Sequence, residues 1–233
     1  MAIHGKRYRV VAESRLSSAP VEVSEALKVV KETATAKFDE SVDVVFKLGV
    51  DPRKSDQQVR GTVTLPHGTG RSLRVAVIAK GDKSVEGQNA GADTVGAEDI
   101  VEKIDGGWGD FDVLVATPDM MKLVGRLGKK LGPGMPNAKS GTVTMDIEQT
   151  VRDLKRGKIE YRTGRGATVQ AIIGKASFTE DQLRENFLTL LDAVVRSRPA
   201  AAKGQYLQGI VMSATMGPGI KVDPQKALTY LSR

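Results

Sequence analysis

No cysteine occurs among the 233 residues. Its absence excludes disulfides, thiolate metal sites and cysteine nucleophiles together, and suits a reducing compartment. Aromatic side chains are scarce, with one tryptophan, four tyrosines and five phenylalanines, so any base stacking falls to very few residues. Only two histidines are present, His4 and His67. They are too far apart to build an H-x-x-x-H or H-E-x-x-H spacing, so no metal site is expected. No cofactor is expected, and no G-x-S-x-G elbow appears. No apolar run approaches the ~20 residues of a membrane span. The opening "MAIHGKRYRV" lacks the apolar stretch of a secretory signal. A cytoplasmic protein with no membrane partner is the expectation.

What is present is enough hydrophobic residue, 40%, to build a core, and a net charge of +7. A basic excess of this size fits either a solvated surface or a polyanionic partner. Where the charge sits decides between them, so the chain must first be divided.

The first third reads as mixed α/β. "VSEALKVVKETATAKF" places Ala26, Leu27, Val30 and Ala34 on one helical face, with Ser24 as N-cap and Lys37–Phe38 at the helix end. "SVDVVFKLGV" and "TVTLP" read as strands, joined by the polar "DPRKSDQQVRG". The middle third changes rhythm. "LRVAVIA" and "FDVLVAT" are continuous apolar runs, as in strands covered on both faces. "GADTVG" reads as a short strand, and "AEDIVEKI", "PDMMKLVGRLG" and "DIEQTVRDLKRG" as helices, the last closed by Gly157. The last third returns to the first style. "KIEYR" and "ATVQAII" read as paired strands around "TGRG". "FTEDQLRENFLTLLDAVVRSRP" carries a Thr179–Gln182 capping box and a stripe of Leu183, Phe187, Leu190, Leu191, Val194 and Val195. "GQYLQGIVMSAT" and "GIKVD" read as strands joined at "MGPG".

The expected fold class is α/β: a split two-layer α/β domain, residues 1–68 plus 158–233, built from both termini, with an inserted Rossmann-like α/β domain at 69–157. Gly68, Gly70 and Gly157 border the two crossings and are the expected hinge. Residues 69–157 hold 13 Lys/Arg and 13 Asp/Glu, while 22 and 15 lie outside. The whole excess of +7 therefore falls in the split domain, as a docked nucleic acid would require.

"LGPGMPNAKSGTVT", residues 131–144, has the look of a damaged phosphate loop. A P-loop ending in Lys139–Ser140 needs glycines where Ala138 and Pro133 stand. Pro133 and Pro136 also remove two of the backbone donors that such a loop uses. A dinucleotide pattern fails too, because Gly132-x-Gly134 is followed by Asn137 instead of a third glycine. A nucleotide-dependent enzyme built on the inserted domain is the alternative of a different class.

Other segments admit two readings. Lys37 and Phe38 fit a helix end with a core phenyl ring, or a cation and an aromatic face presented to RNA. Thr215, Met216 and Gly217 fit a Gly-Pro hairpin, or a close approach to an RNA minor groove. Arg53, Lys54, Arg60, Arg162 and Arg165 fit solvated loop charge, or two basic loops that face a phosphate backbone.

Taken together, "HGKRYR", "ATAKFDESVDV", "LGVDPRKSDQQVRGTVTLPHGTG", "FDVLVATPDMM", "MPNAKSGTVT", "IGKASF", "AKGQYL" and "TMGPG" resemble the bacterial large-subunit ribosomal protein L-one family, from about His4 to Val222. The resemblance implies a non-enzymatic structural constituent of the large ribosomal subunit. It implies a split domain bound to 23S rRNA at the mobile stalk beside the tRNA exit site, among other ribosomal components. It further implies contact with exit-site tRNA and its release, and repression of translation by binding the protein's own operon mRNA. Carried over, the principal rRNA surface falls on Lys37, Phe38, Thr215, Met216 and Gly217, with Lys6, Arg7 and Lys175 as weaker matches. Arg53, Lys54, Arg60 and Arg165 are the expected tRNA-facing side. The chain departs from the family pattern L-G-P-x-G-L-M-P-N-P-K by two missing residues and Ala138. "RTGRGATVQ" likewise replaces the family's N-D-K…H pattern. Because the shortened loop lies in the neutral domain, primary RNA binding is expected to survive.

Overall fold

The computed structural model describes residues 5–15 and 19–231. The chain divides into two compact units, Met1–Gly70 with Ile159–Arg233, and Arg71–Lys158. The crossings thus fall one or two residues later than the glycines suggested. Lys158 then joins the inner unit, which leaves the outer unit with a charge of +6.

In chain order the outer unit begins with α1 (Lys6–Arg15), α2 (Val23–Thr33), β1 (Ser41–Leu48) and β2 (Arg60–Thr64). The inner unit follows with β3 (Val75–Ile78), α3 (Asp82–Asn89), β4 (Thr94–Gly96), α4 (Glu98–Asp105), β5 (Val113–Ala116), α5 (Met121–Val124), α6 (Gly128–Leu131) and α7 (Ile147–Arg156). The chain then returns through β6 (Lys158–Arg162), β7 (Thr168–Lys175), α8 (Glu180–Arg196), β8 (Leu207–Ala214), β9 (Ile220–Val222) and α9 (Pro224–Thr229).

The outer unit is a four-stranded antiparallel sheet of order β7-β1-β8-β9 with helices on one face. Alternation along β1 turns Val42, Val44, Phe46 and Leu48 into the core. They meet Leu27 and Val30 of α2 and Leu183, Phe187 and Leu190 of α8. The Phe46 and Phe187 rings stack at 6.0 Å. The opposite face is open, with Lys47, Gln170, Ile172 and Lys221 exposed.

The inner unit is a parallel sheet of order β4-β3-β5. Ile100 and Ile104 of α4 cover one face. Ile147, Val151 and Leu154 of α7 cover the other. All four residues of β3 are buried, the doubly covered strand that its sequence implied.

Several expectations need correction. Helix α2 stops at Thr33, so Lys37 and Phe38 lie in a bend beyond it rather than at its end. The Thr33 hydroxyl and the Ala34 amide both donate to the carbonyl of Val30, which closes the last turn. Ser24 lies inside the helix, and Glu22 precedes it without a side-chain cap. The helix read at 118–128 is broken into short α and 3-10 turns, with glycines at 125, 128 and 132. Strands β6 and β7 do not pair as a hairpin. β6 pairs with β2 and β7 with β1, and between their ends lie a Thr163–Val169 bridge and a bond from the Gly164 amide to the Thr168 carbonyl. The Thr179–Gln182 capping box of α8 is present as expected.

One buried polar residue was hidden in the apolar stripe of α8. Asn186 is fully buried. Its amide nitrogen donates to the carbonyls of Ile173 at 2.7 Å and Gly68 at 2.9 Å. Its oxygen accepts from the His67 amide at 3.0 Å. Asn186 thus fastens the 67–68 turn to β7. Asn186→Leu fills similar space but orphans those three groups. It is expected to lower unfolding free energy by about 2–4 kcal/mol at an unchanged urea m-value.

Candidate nucleic-acid interface

At one end of the outer sheet three segments converge on Glu40. This side chain is 1% exposed. Its Oε1 accepts from the Ala36 amide at 2.8 Å, and its Oε2 from the Met216 amide at 2.9 Å. Its backbone carbonyl accepts from the Ala176 amide at 2.8 Å. The bend at 36–38, the turn at 215–217 and the loop after β7 are therefore held within the reach of one residue.

Next to it, Thr215 extends the β1–β8 ladder by one step. Its amide donates to the Ser41 carbonyl at 3.0 Å, and its hydroxyl accepts from the Ser41 amide at 2.9 Å. The same hydroxyl lies 3.2 Å from the Ser41 carbonyl, as a donor. Thr215 thus uses its hydroxyl to shape the turn. Gly217 follows at a close approach. A Cβ there would lie 3.3 Å from both Ala214 Cβ and Thr33 Oγ1, so a larger residue would push the turn away from the end of α2. These contacts leave Phe38 55% exposed and Met216 53% exposed. Two large apolar side chains stand in water because the backbone beneath them is fixed.

Lys175 adds a cation at the same edge. Its Nζ donates to Ser41 Oγ at 2.9 Å and to the Asp39 carbonyl at 3.3 Å. The Asp39 carboxylate in turn accepts from the amide and hydroxyl of Ser177. Among the described residues Lys37 is exposed and makes no hydrogen bond or ion pair. Lys6 sits in the first turn of α1, which packs against α2. Arg7 shares that turn, but its side chain and all of His4 lie outside the described residues.

The second basic group lies at the other end of β1 and β7. Arg53 and Lys54 are exposed on a turn in which the Arg53 amide donates to Asp51 Oδ1 and the Lys54 amide to the Asp51 carbonyl. The Thr163 hydroxyl accepts from the Val59 amide at 3.1 Å, and the Thr163 amide donates to the Val59 carbonyl at 2.8 Å. These bonds bring the 51–60 and 162–168 loops together. Arg60 is paired with Glu160 at 2.6 Å and so is partly neutralised. Arg165 lines a shallow hollow of about 490 Å³ with Arg162 and Gln170. Arg162, read with Arg165 as part of a basic loop but left out of the expected tRNA-facing set, lies in the same hollow.

The 131–144 stretch turns its donors inward. The Asn137 side chain accepts from the Lys139 amide, and the Asn137 carbonyl accepts from the amides of Ser140 and Thr142 and from the Ser140 hydroxyl. Among the described residues of this stretch no row of free amides is left to cradle a phosphate. Thr142 and Thr144 instead pair with Ala116 and extend the sheet beyond β5. No metal-holding cluster exists among the described residues.

Asp43 sits on the open sheet face two residues from Ser41. Burial pushes its carboxyl above the usual aspartate value, and the Lys175 ammonium partly opposes this. A raised folded-state value means that stability falls as pH rises from the ordinary value of 3.8 through the folded one. Asp43→Asn removes that penalty. The variant is expected to melt above the parent at pH 7, and the gain should vanish below pH 3.8 in parallel thermal melts.

The chain matches the model of the Ribosomal protein L1p/L10e family over residues 30–218. It is also 55% identical over 226 residues to the large ribosomal subunit protein uL1 of Lactobacillus acidophilus, covering 96% of this chain and 98% of that protein. The chain belongs to this family, one of structural ribosomal proteins and not of enzymes.

Proposed function

We propose that the chain is a structural constituent of the large ribosomal subunit in the cytoplasm, and that it binds 23S rRNA at the mobile stalk through its outer unit. The observation that carries the site assignment is the convergence of 36–38, 175–177 and 215–217 on Glu40, in the unit that holds the charge excess. Phe38 and Met216 supply apolar surface for bases and riboses. Lys37, Lys175 and, from α1, Lys6 and Arg7 supply the charge that meets phosphates. Thr215 and Gly217 shape the turn that presents Met216.

The basic loops at the other end are the tRNA-facing side of this reading. Arg53, Lys54 and Arg165 meet the backbone of exit-site tRNA as it leaves, and Arg60 joins them from its pair with Glu160. Gly68, Gly70 and Gly157 flank the two crossings and serve as hinge residues, each at a positive φ that glycine adopts freely. The same rRNA-binding edge recognises a like-shaped stem in the protein's own operon mRNA and represses its translation. Competition between the two RNAs for one site tests this role, and simultaneous binding of both overturns it.

A stalk rRNA stem-loop is expected to bind the full chain with an affinity that drops by orders of magnitude between 50 and 200 mM salt. Met216→Ala should weaken that binding by about 1–3 kcal/mol in a filter-binding titration. Wild-type affinity in the folded variant removes Met216 from the site. Lys54→Ala is expected to leave rRNA affinity unchanged and to weaken tRNA contact. An equal loss for rRNA would reverse the assignment of the two ends.

A further inference from the structure

Glu40 has a chemistry at odds with its surroundings. A carboxylate beneath a surface that receives phosphates opposes the ligand by charge alone. Glu40 is also 1% exposed, so no nucleotide can reach its oxygens directly. Among the described residues no cation pairs with it. A buried carboxylate of this kind pays a desolvation penalty that an apolar side chain of like volume avoids. What the apolar side chain cannot do is accept two amides from different parts of the chain.

Those amides belong to Ala36 and Met216, 180 positions apart by number and joined here by a single carboxylate. The third bond, from the Ala176 amide to the Glu40 carbonyl, adds the loop that follows Lys175. The two carboxylate oxygens thus tie the 36–38 bend to the 215–217 turn directly. The bend has no secondary structure of its own. Phe38 and Met216 both sit in segments that this side chain anchors.

We propose that Glu40 is the positioning residue of the RNA-binding edge: it sets the spacing between the Lys37–Phe38 bend and the Thr215–Met216–Gly217 turn, and RNA affinity depends on it although it touches no RNA. The inference rests on the RNA-binding reading of that edge.

Electrostatics and positioning give opposite signs for one substitution. Glu40→Gln keeps the volume and removes a negative charge near a polyanion site, which alone would tighten binding. It also turns a donor toward one of the two amides, because a carboxamide has a single acceptor oxygen. One segment is then released and binding weakens. The test is a titration of full-length protein with the stalk rRNA stem-loop at two salt concentrations, for Glu40→Gln, Lys37→Ala and Met216→Ala, with thermal melts alongside. Glu40→Gln is expected to raise Kd about tenfold or more. Its salt slope should stay unchanged, since no phosphate contact is lost, whereas Lys37→Ala should lower the slope by about one. Amide exchange at Ala36 or Met216 should speed up while α8 stays protected.

Unchanged or tighter binding by folded Glu40→Gln, with Lys37→Ala and Met216→Ala both weakened, overturns the positioning role and leaves the site in place. If none of the three variants moves Kd, the RNA-binding reading of the edge itself is wrong. If Glu40→Gln does not fold, Glu40→Asp replaces it. That variant keeps the charge but is one methylene too short to reach both amides. It should also bind more weakly, and wild-type affinity there overturns the proposal.

Discussion

Strand β1 can complete its hydrogen bonds only with chain that arrives after the inserted unit. Both of its neighbours, β7 and β8, lie beyond residue 158. The outer core therefore cannot close until the chain has passed through the whole of the inner unit and returned. The entropy of closing such a long excursion grows only with the logarithm of its length, by about 0.6 kcal/mol per doubling. A folded unit can thus be carried inside another domain at small thermodynamic expense. Non-local pairing of this kind does slow folding. It also explains why so much of the edge is made from residues distant in sequence, such as Ser41 with Thr215 and Glu40 with Met216.

Patterns that depend on near neighbours were legible in the sequence. The alternation of β1, the covered runs of β3 and β5, and the capping box of α8 all follow from residues a few positions apart. Features that depend on distant partners were not. Helix α3 has little apolar periodicity because it docks through a glycine. Gly87 brings its backbone so close that a Cβ would lie 3.3 Å from Val77 Cγ1. Asn186 broke the stripe of α8 without a visible reason, since its three partners are up to 119 positions away. The end of α2 at Thr33 was missed because helix-compatible residues continue past it.

The candidate site divides in the same manner. Residue types alone left Lys37–Phe38 and Thr215–Met216–Gly217 between a structural and a binding reading, and the family resemblance favoured binding. The structure adds why those side chains stand outward. Phe38 lies beyond the helix that could have buried it, and Met216 crosses a turn held by Glu40, Ser41 and the tight fit of Gly217. No sequence pattern marks Glu40, because a glutamate between an aspartate and a serine reads as an ordinary polar loop residue.

Phe38 and Met216 give that edge a property that its lysines do not have. Water around two half-exposed apolar side chains is released only when something covers them. Counterion release is governed by salt and leaves little trace in the heat capacity. Apolar burial leaves a negative heat-capacity change. A ligand seated over both side chains would thus bind with an enthalpy that becomes steadily more favourable on warming, and one held by the lysines alone would not.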